Sequence, residues 1–546
     1  MESEEKAEKG VHYMSLLSNL FRRKRNNNEG ETTEKELYDK EGVPKQYSSD
    51  LKMNVEQLKE IFNDTSDFQK IDIIVGEKNA CVCYIGTTLN KSDLNAKVLE
   101  PLRDAFPKKD INTVDKLREA YFPAVSYEYA ENIHEIVWKV LNGYAVILID
   151  NFQKGLALDI GGTEKRSITE PSTQTIIRGP KDSFVEDLNT NLGLVRKRIK
   201  NPRLKFEEYF VGSDTNTKLV IGYMKGIVND DILTEVKQRI KKINTSSVLD
   251  TGNIEEFITD TPFTFFPLIF NTERPDSVSG NIIEGKIAIF LDGTPFALIV
   301  PSVFTDFFQA TEDYYQPFFM SSFIRIVRYL AFMITLILPS LYVALTTFHH
   351  ELLPTPLLIS VQSQREGVPF PAVIEILIME FTFEVLREAG IRMPRAVGQT
   401  LSIVGALVIG QAAVEAGLVS NVLVIIVAFS GISSFVSPIY NFSIASRLIR
   451  FILIIAAACL GLYGVLLMLI VMVIHLVSLR SFGVPYLTPV APFKLKDQKD
   501  VFVRFPIWSD RTRPSYLLTS SPVKEENSSR PAPPDPSEGE SKQNEN

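Results

Sequence analysis

REGVPFPAVIEILIMEFTFEVLREAGIRMPRAVGQTLSIVGALVIGQAAVEAGLVS, residues Arg365 to Ser420, sets Glu375, Glu380, Glu384, Gln399, Gln411 and Glu415 in or beside segments apolar enough to enter a bilayer. An ionised side chain at the centre of a membrane helix costs at least ~2.5–3.5 kcal/mol, so such carboxylates face a protein interior or a water-filled path. Glu380, Glu384 and Glu388 recur every fourth residue and line one helical face. That face, with Glu375, is a candidate to line or gate a path; the alternative is a half-buried interfacial helix whose acids touch water. From Val397 to Val414, Gly398, Ser402, Gly405, Ala406 and Gly410 permit close helix contact while Gln399 and Gln411 keep a polar face. In a ring of subunits this second helix can line a pore with Gln399, Ser402 and Gly405 and an apolar constriction at Val404 or Val408, because narrow apolar rings gate by dewetting. Ordinary helix packing is the competing reading.

Outward from this stretch the chain divides. Of 546 residues, 45% are hydrophobic, and a mean hydropathy near zero averages a charged region up to about Met320 with a strongly apolar one from Phe323 to Leu479. The expected architecture is α+β: a soluble N-terminal region of two similar α/β subdomains, then a helical polytopic transmembrane domain. The expected divisions are a disordered tail (1–50), subdomain 1 (51–165), subdomain 2 (166–320), a helical membrane domain of about four to six segments (321–480), and a C-terminal region (481–546) disordered from about Thr519. A net charge of −8 and no sustained basic surface exclude general nucleic-acid binding. Cys81 and Cys83 sit two apart on one strand face, and with three cysteines in all neither a structural disulfide nor a cysteine metal site is expected. The acidic start MESEEKAEKG is not a secretory signal, so the N-terminus is expected in the cytoplasm; MSLLSNLFRRKR reads as a flexible basic tail or a surface-lying amphipathic helix.

The soluble region looks duplicated. NACVCYIGTTLNKSDLNAKVLEPL from Asn79 parallels TKLVIGYMKGIVNDDILTEVKQRI from Thr217, each a strand, a turn and an amphipathic helix, with Asp93 and Asp230 or Asp231 as candidate N-caps. YAVILIDNFQKGLALDI from Tyr144 parallels KIAIFLDGTPFALIVPS from Lys286, each two strands joined by a tight turn at Asp150-Asn151 or Asp292-Gly293. Both pairs are displaced by about 140 residues, the mark of an internal repeat.

Hydropathy places spans at Ile326–Phe348, Pro371–Leu386, about Val397–Val414 and Val419–Val436. Leu448 to Leu479 is too long for one ordinary span and tilts or breaks near Gly461 and Gly464. Arg325 and Arg328 are expected to snorkel to the interface. With the N-terminus inside, the placement of Arg387, Arg392 and Arg395, and of Arg447 and Arg450, agrees with the positive-inside rule if Pro371–Leu386 crosses. The side of the C-terminus depends on whether the last segment crosses once or twice.

Catalytic signals are weak. LALDIGGTEKRS, Leu156 to Ser167, resembles the phosphate turn of actin-like sugar kinases, but a strand ending in a Gly-Gly turn explains it without the other loops such enzymes need. The five histidines form no metal spacing, His349-His350 reads as solvated, and neither a cofactor nor an enzymatic activity is expected. In EPSTQTIIRGPKDSFVEDLNTNLGLVRKRIKNPRLKFEEYF, Glu170 to Phe210, Arg178 opens a turn before a helix ending in Arg196, Lys197 and Arg198. These arginines pair with nearby acids or contact another subunit, with anion binding as an alternative.

That run, with LPSLYVALTTFHHELLPTPLLIS and the opening stretch, closely resembles the A subunit of the GerA family of spore germinant receptors, from about Leu51 to Pro492. Lys181-Asp182 stands where the family more usually shows Arg-Glu, and Asn421 where a proline often follows Val-Ser. The resemblance implies a multi-pass protein of the spore inner membrane with its N-terminal domain on the core side. It implies a transporter-like B subunit and a lipoprotein C subunit as partners, and a homo-oligomeric ring, a pentamer by that resemblance, forming a nutrient-gated cation channel. A non-conducting scaffold, or the paralogue associated with dipicolinate release, is the alternative.

Overall fold

The computed structural model describes residues 47–63, 65–75, 77–103, 113–160, 170–171, 173–393 and 410–524. Runs rich in β-branched and aromatic residues suit a pleated, covered surface, and KNACVCYI and TKLVIGYM become the second strands of two sheets. The first unit comprises α1 (Leu51–Phe62), β1 (Phe68–Val75), β2 (Lys78–Ile85) and a helical run of Lys91–Leu94, Asn95–Leu99 and Glu100–Arg103, together α2. It continues with α3 (Val114–Tyr121), β3 (Tyr127–Ala130), α4 (Ile133–Leu141), β4 (Tyr144–Ile149) and β5 (Gly155–Asp159). The second comprises α5 (Leu188–Arg198), β6 (Leu204–Val211), β7 (Thr217–Met224), α6 (Asp230–Lys242), α7 (Thr251–Ile258), β8 (Phe270–Thr272), α8 (Pro275–Glu284), β9 (Ile287–Leu291) and β10 (Ala297–Val300). The sheets run β1-β2-β4-β5-β3 and β6-β7-β9-β10-β8, antiparallel throughout, so the two units share one topology.

The likeness reaches single hydrogen bonds. Asp150 Oδ1 accepts the Leu51 N–H at 3.3 Å, and Asp292 Oδ1 accepts that of Leu188 at 3.3 Å. Asn54 Oδ1 accepts from Ser48 N while its Nδ2 donates to Ser48 O; Asn191 does the same with Val185. Asn151 (φ 63°) and Gly293 (φ 90°) hold the same left-handed turn position, which only glycine and short polar residues adopt readily. The turns differ from expectation in length: residues 150–154 and 292–296 separate the paired strands, longer than a two-residue hairpin turn. The N-caps differ as well. Asn90 and Asn229 accept the first free helical N–H groups, and Asp93, Asp230 and Asp231 lie inside the first turn, where their charge meets the helix dipole.

Arg196 joins the two units. Its guanidinium is fully buried, donates from Nε and Nη2 to both oxygens of Asp67 at 2.9 Å, and lies 5.0 Å from the Phe206 ring. Phe206 N donates to Thr65 Oγ1, Ser66 N to Phe206 O, and Lys205 Nζ to Phe62 O. Arg196 is therefore sealed inside the chain and has no surface to offer a second subunit. Arg198 pairs with Asp182 at 2.6 Å and Arg178 is exposed.

The helical region follows: α9 (Phe318–Thr347), α10 (Thr355–Arg365), α11 (Ala372–Arg392), α12 (Gly410–Glu415), α13 (Asn421–Ser434) and α14 (Tyr440–Ser478). Among the described residues two helices, α9 and α14, are long and apolar enough to cross a membrane. Gly461 (φ 62°, ψ −142°) interrupts α14. A straight helix of its 39 residues would span ~58 Å. Yet Phe442 near its start lies 6.3 Å from Phe266, and His475 near its end touches Thr264 at 3.0 Å. Both ends reach one short loop, so α14 folds back at Gly461 as a helical hairpin. The end of α9 meets the break: His349, expected in solvent, is half-buried against Gly461.

The chain leaving α14 therefore returns to the second sheet unit, with β11 (Arg480–Ser481) and β12 (Val484–Pro485) packed on it. A shared aromatic core of Phe266, Phe304, Phe307, Phe332, Phe442 and Tyr486 fuses that unit to the helices. Residues expected to be disordered from Thr519 remain docked as far as Lys524: Ser520 N donates to Ile227 O, and Lys524 pairs with Glu284 and Asp510, both at 2.6 Å. The N-terminal segment MSLLSNLFRRKR, the Gly-Gly turn after Ile160, Arg395 and the rest of the C-terminal tail lie outside the described residues.

Candidate functional site

The acids of α11 define the site. Burying them is tolerable only where positive partners and hydrogen bonds replace water. Glu380 is fully buried, and Arg450 of α14, also fully buried, places Nη2 at 2.6 Å from Glu380 Oε2 and 3.0 Å from Glu384 Oε1. Arg450 Nη1 donates to Ser430 Oγ of α13 at 2.8 Å. Arg447, one helical turn away, pairs with the other Glu384 oxygen. Arg387 of α11 donates to Gly431 O at 3.2 Å and to Ser434 Oγ, and its guanidinium lies 4.0 Å from the Phe435 ring. Two carboxylates and three guanidiniums thus tie α11, α13 and the outgoing arm of α14 together. Glu380 meets Arg450 as a charge contact rather than a well-directed hydrogen bond, since neither of its oxygens has a hydrogen-bond partner.

Glu375, also fully buried, sits at the other end of α11, with Arg365 Nη2 at 3.3 Å and the Ser420 N–H donating to Oε2 at 3.4 Å. Glu388 leaves this pattern, pairing on the surface with Arg392. Gln411 and Glu415, one turn apart on α12, are exposed and bonded to each other at 2.9 Å. Gln399, Ser402, Val404, Gly405 and Val408 lie outside the described residues.

The arginines correct the sequence reading. Arg325 and Arg328, expected to reach the membrane surface, are buried where α9 begins. Both contact Asp313, at 3.2 and 2.7 Å, and Arg325 also reaches Asp500 at 2.7 Å, pinning the C-terminal segment. Arg387 is held by Gly431 O and Ser434 Oγ, whereas Arg447 and Arg450 serve internal carboxylates. The pairing of these two with Glu380 and Glu384 was not read from the sequence, because arginines flanking an apolar run look the same whether they face headgroups or a buried acid. A fourfold spacing of acids opposite a threefold spacing of arginines was the available signal.

Among the described residues no group of His, Cys, Asp or Glu is placed to hold a metal ion. Cys81 and Cys83 are free and buried, their sulfurs 3.7 Å apart. What the network can do is hold three helices in one register, or release them together.

Repeated α/β units welded to a helical region define a class of protein: sheet units joined to helices of which two, among the described residues, are long and apolar enough to cross a membrane. The family model described as Bacillus/Clostridium GerA spore germination protein matches residues 56–516, and this chain belongs to that family, as the quoted runs led one to expect. It is 45% identical over 489 residues to spore germination protein KA of Bacillus subtilis (strain 168), covering 89% of this chain and 90% of that one. It is 42% identical over 485 residues to the uncharacterized membrane protein YfkQ of the same organism (88% and 93%), and 39% over 469 residues to spore germination protein GerLA of Bacillus cereus (85% and 95%). Among solved structures, the N-terminal domain of the A subunit of the Bacillus megaterium spore germinant receptor GerK3 is similar at 30% identity, with a TM-score of 0.38, covering 48% of this chain and 98% of that one.

Proposed function

We propose that this chain is the A subunit of a spore nutrient germinant receptor, a multi-pass protein of the spore inner membrane. It works with a transporter-like B subunit and a lipoprotein C subunit. Several copies form a ring, a pentamer by the family resemblance, that opens a cation path when nutrient is sensed. Family membership over residues 56–516, among relatives designated spore germination proteins, supports the receptor role.

The observation that carries the mechanism is the closed pairing of Glu380 and Glu384 with Arg447 and Arg450. With those charges spent between helices, α11 acts as the positioning element, and the path runs along the segment containing Gln399, Ser402, Val404, Gly405 and Val408. Both ends of α14 lie beside the loop at Thr264, which supports a C-terminal segment on the same side as the sheets, the spore core by the family resemblance. Arg178 and Arg198 remain the arginines offered for subunit contact. Spores carrying Val404→Phe or Val408→Phe should release ions more slowly on nutrient addition. Unchanged release at normal protein level would remove the pore from that segment.

The same closed pairing favours a second reading, a scaffold that docks the other subunits while ions pass elsewhere, because it leaves no buried acid of α11 free to meet an ion. A conductance of the purified chain separates the two.

A further inference from the structure

The loop between α7 and β8 carries the run PFTFFP, Pro262 to Pro267. One of its phenyls, Phe266, is buried in the aromatic core, 6.2 Å from Phe304. The other two turn outward: Phe263 is 94% exposed and Phe265 53%. The loop is held at many points. Asp260 pairs with Arg239 at 2.5 Å and accepts the Phe482 N–H, Tyr486 OH donates to Pro267 O at 2.8 Å, and Ser481 Oγ donates to Leu268 O at 2.8 Å. The phenyls are thus presented by a fixed backbone.

Their place on the molecule identifies what covers them. Thr264, between the two, bonds His475 in the last turn of α14, whose Val473, Ile474 and Val477 are exposed apolar residues on the returning arm. Phe319 and Phe323, at the start of α9 on the same side, are also exposed, and Arg480 is exposed just past the end of α14. An apolar band ending in phenyls beside a polar His and an Arg is the profile of a membrane–water boundary, where Phe and Leu side chains enter the headgroup–acyl boundary and basic residues stay in the polar layer. Burying a phenyl removes apolar surface from water and stabilises the contact, whereas a rigid loop in water gains nothing from displaying two.

We infer that Phe263 and Phe265 insert into the lipid interface beside the returning arm of α14, anchoring the second sheet unit to the bilayer surface. The inference rests on the bilayer reading of the helices, and the experiment separates the two. The full-length chain, with Trp138→Phe and Trp508→Phe, carries a single tryptophan at Phe263→Trp, Ile474→Trp or Phe210→Trp, the last an exposed position on β6. Each variant is reconstituted into phosphatidylcholine–phosphatidylglycerol vesicles with or without brominated acyl chains. Bromolipid should reduce emission about twofold at Ile474→Trp and Phe263→Trp and leave Phe210→Trp unchanged. Quenching at Ile474→Trp with Phe263→Trp open to acrylamide would overturn the anchor and leave the bilayer reading intact. Phe263→Trp shielded from both quenchers would mean a protein surface, such as a second copy, covers the loop, and would also overturn it. No lipid quenching at Ile474→Trp would overturn the bilayer reading and the anchor with it.

Discussion

Arg196 and Arg450 solve one physical problem in two places, a buried guanidinium whose charge is met by carboxylate on another element. Removing one member strands the other without water, which costs ~3–5 kcal/mol for a buried pair. Arg196→Met should therefore destabilise the folded chain by about that amount in denaturant titration, with Asp67→Asn in the same background adding little. Arg450→Met should lower the melting temperature more than Glu380→Gln does, because Glu380→Gln leaves Arg450 its contacts with Glu384 and Ser430. Glu255 of α7 tests a different effect: burial first, then the neighbouring Glu256 and Asp250, push its carboxyl up to about 7. A carboxyl raised in the folded state binds more protons than in the unfolded one, so its contribution favours folding at low pH and is lost as pH rises from its ordinary range through about 7. Glu255→Gln should flatten that part of the stability–pH profile and raise the melting temperature at pH values above it.

At the scale of elements, the break in α14 is the decisive feature. A Cβ at Gly461 would fall 2.7 Å from His349 Cε1 and 2.9 Å from Phe348 Cβ, on a backbone conformation few side chains adopt. Gly461→Ala should displace the end of α9 and reduce the yield of folded protein, whereas Gly483→Ala, where positive φ meets open space, should cost only the backbone strain, ~1–2 kcal/mol. The excess length of α14 was legible in the sequence, and so was the glycine at its break. The direction of the chain beyond it was not, because hydropathy records how apolar a segment is and carries no sign for a reversal. The duplication of the sheets was legible for a related reason: strand patterns and the Asp turns repeat locally. The caps at Asn90 and Asn229 were missed because asparagine and aspartate compete for the same role and only geometry shows which side chain accepts. Arg196 was legible as a basic helix end, yet its partner Asp67 lies 129 positions away, beyond any local pattern.

For the whole molecule, the hairpin fixes a topology that chemistry can read. Single cysteines at Ser213 and Ser520, in a background with Cys81, Cys83 and Cys459 replaced, should react with an impermeant maleimide from the same face of a sealed vesicle. Labelling from opposite faces would rule out the return of α14. The central claim is that the charges of α11 hold the helices while the segment around Val408 forms the cation path. Potassium flux from liposomes containing the purified chain tests it most directly. The account predicts that Val408→Ala vesicles leak potassium several-fold faster than wild-type vesicles and Val408→Phe vesicles no faster. Equal flux from all three, or none at any protein-to-lipid ratio with the chain fully inserted, would contradict it.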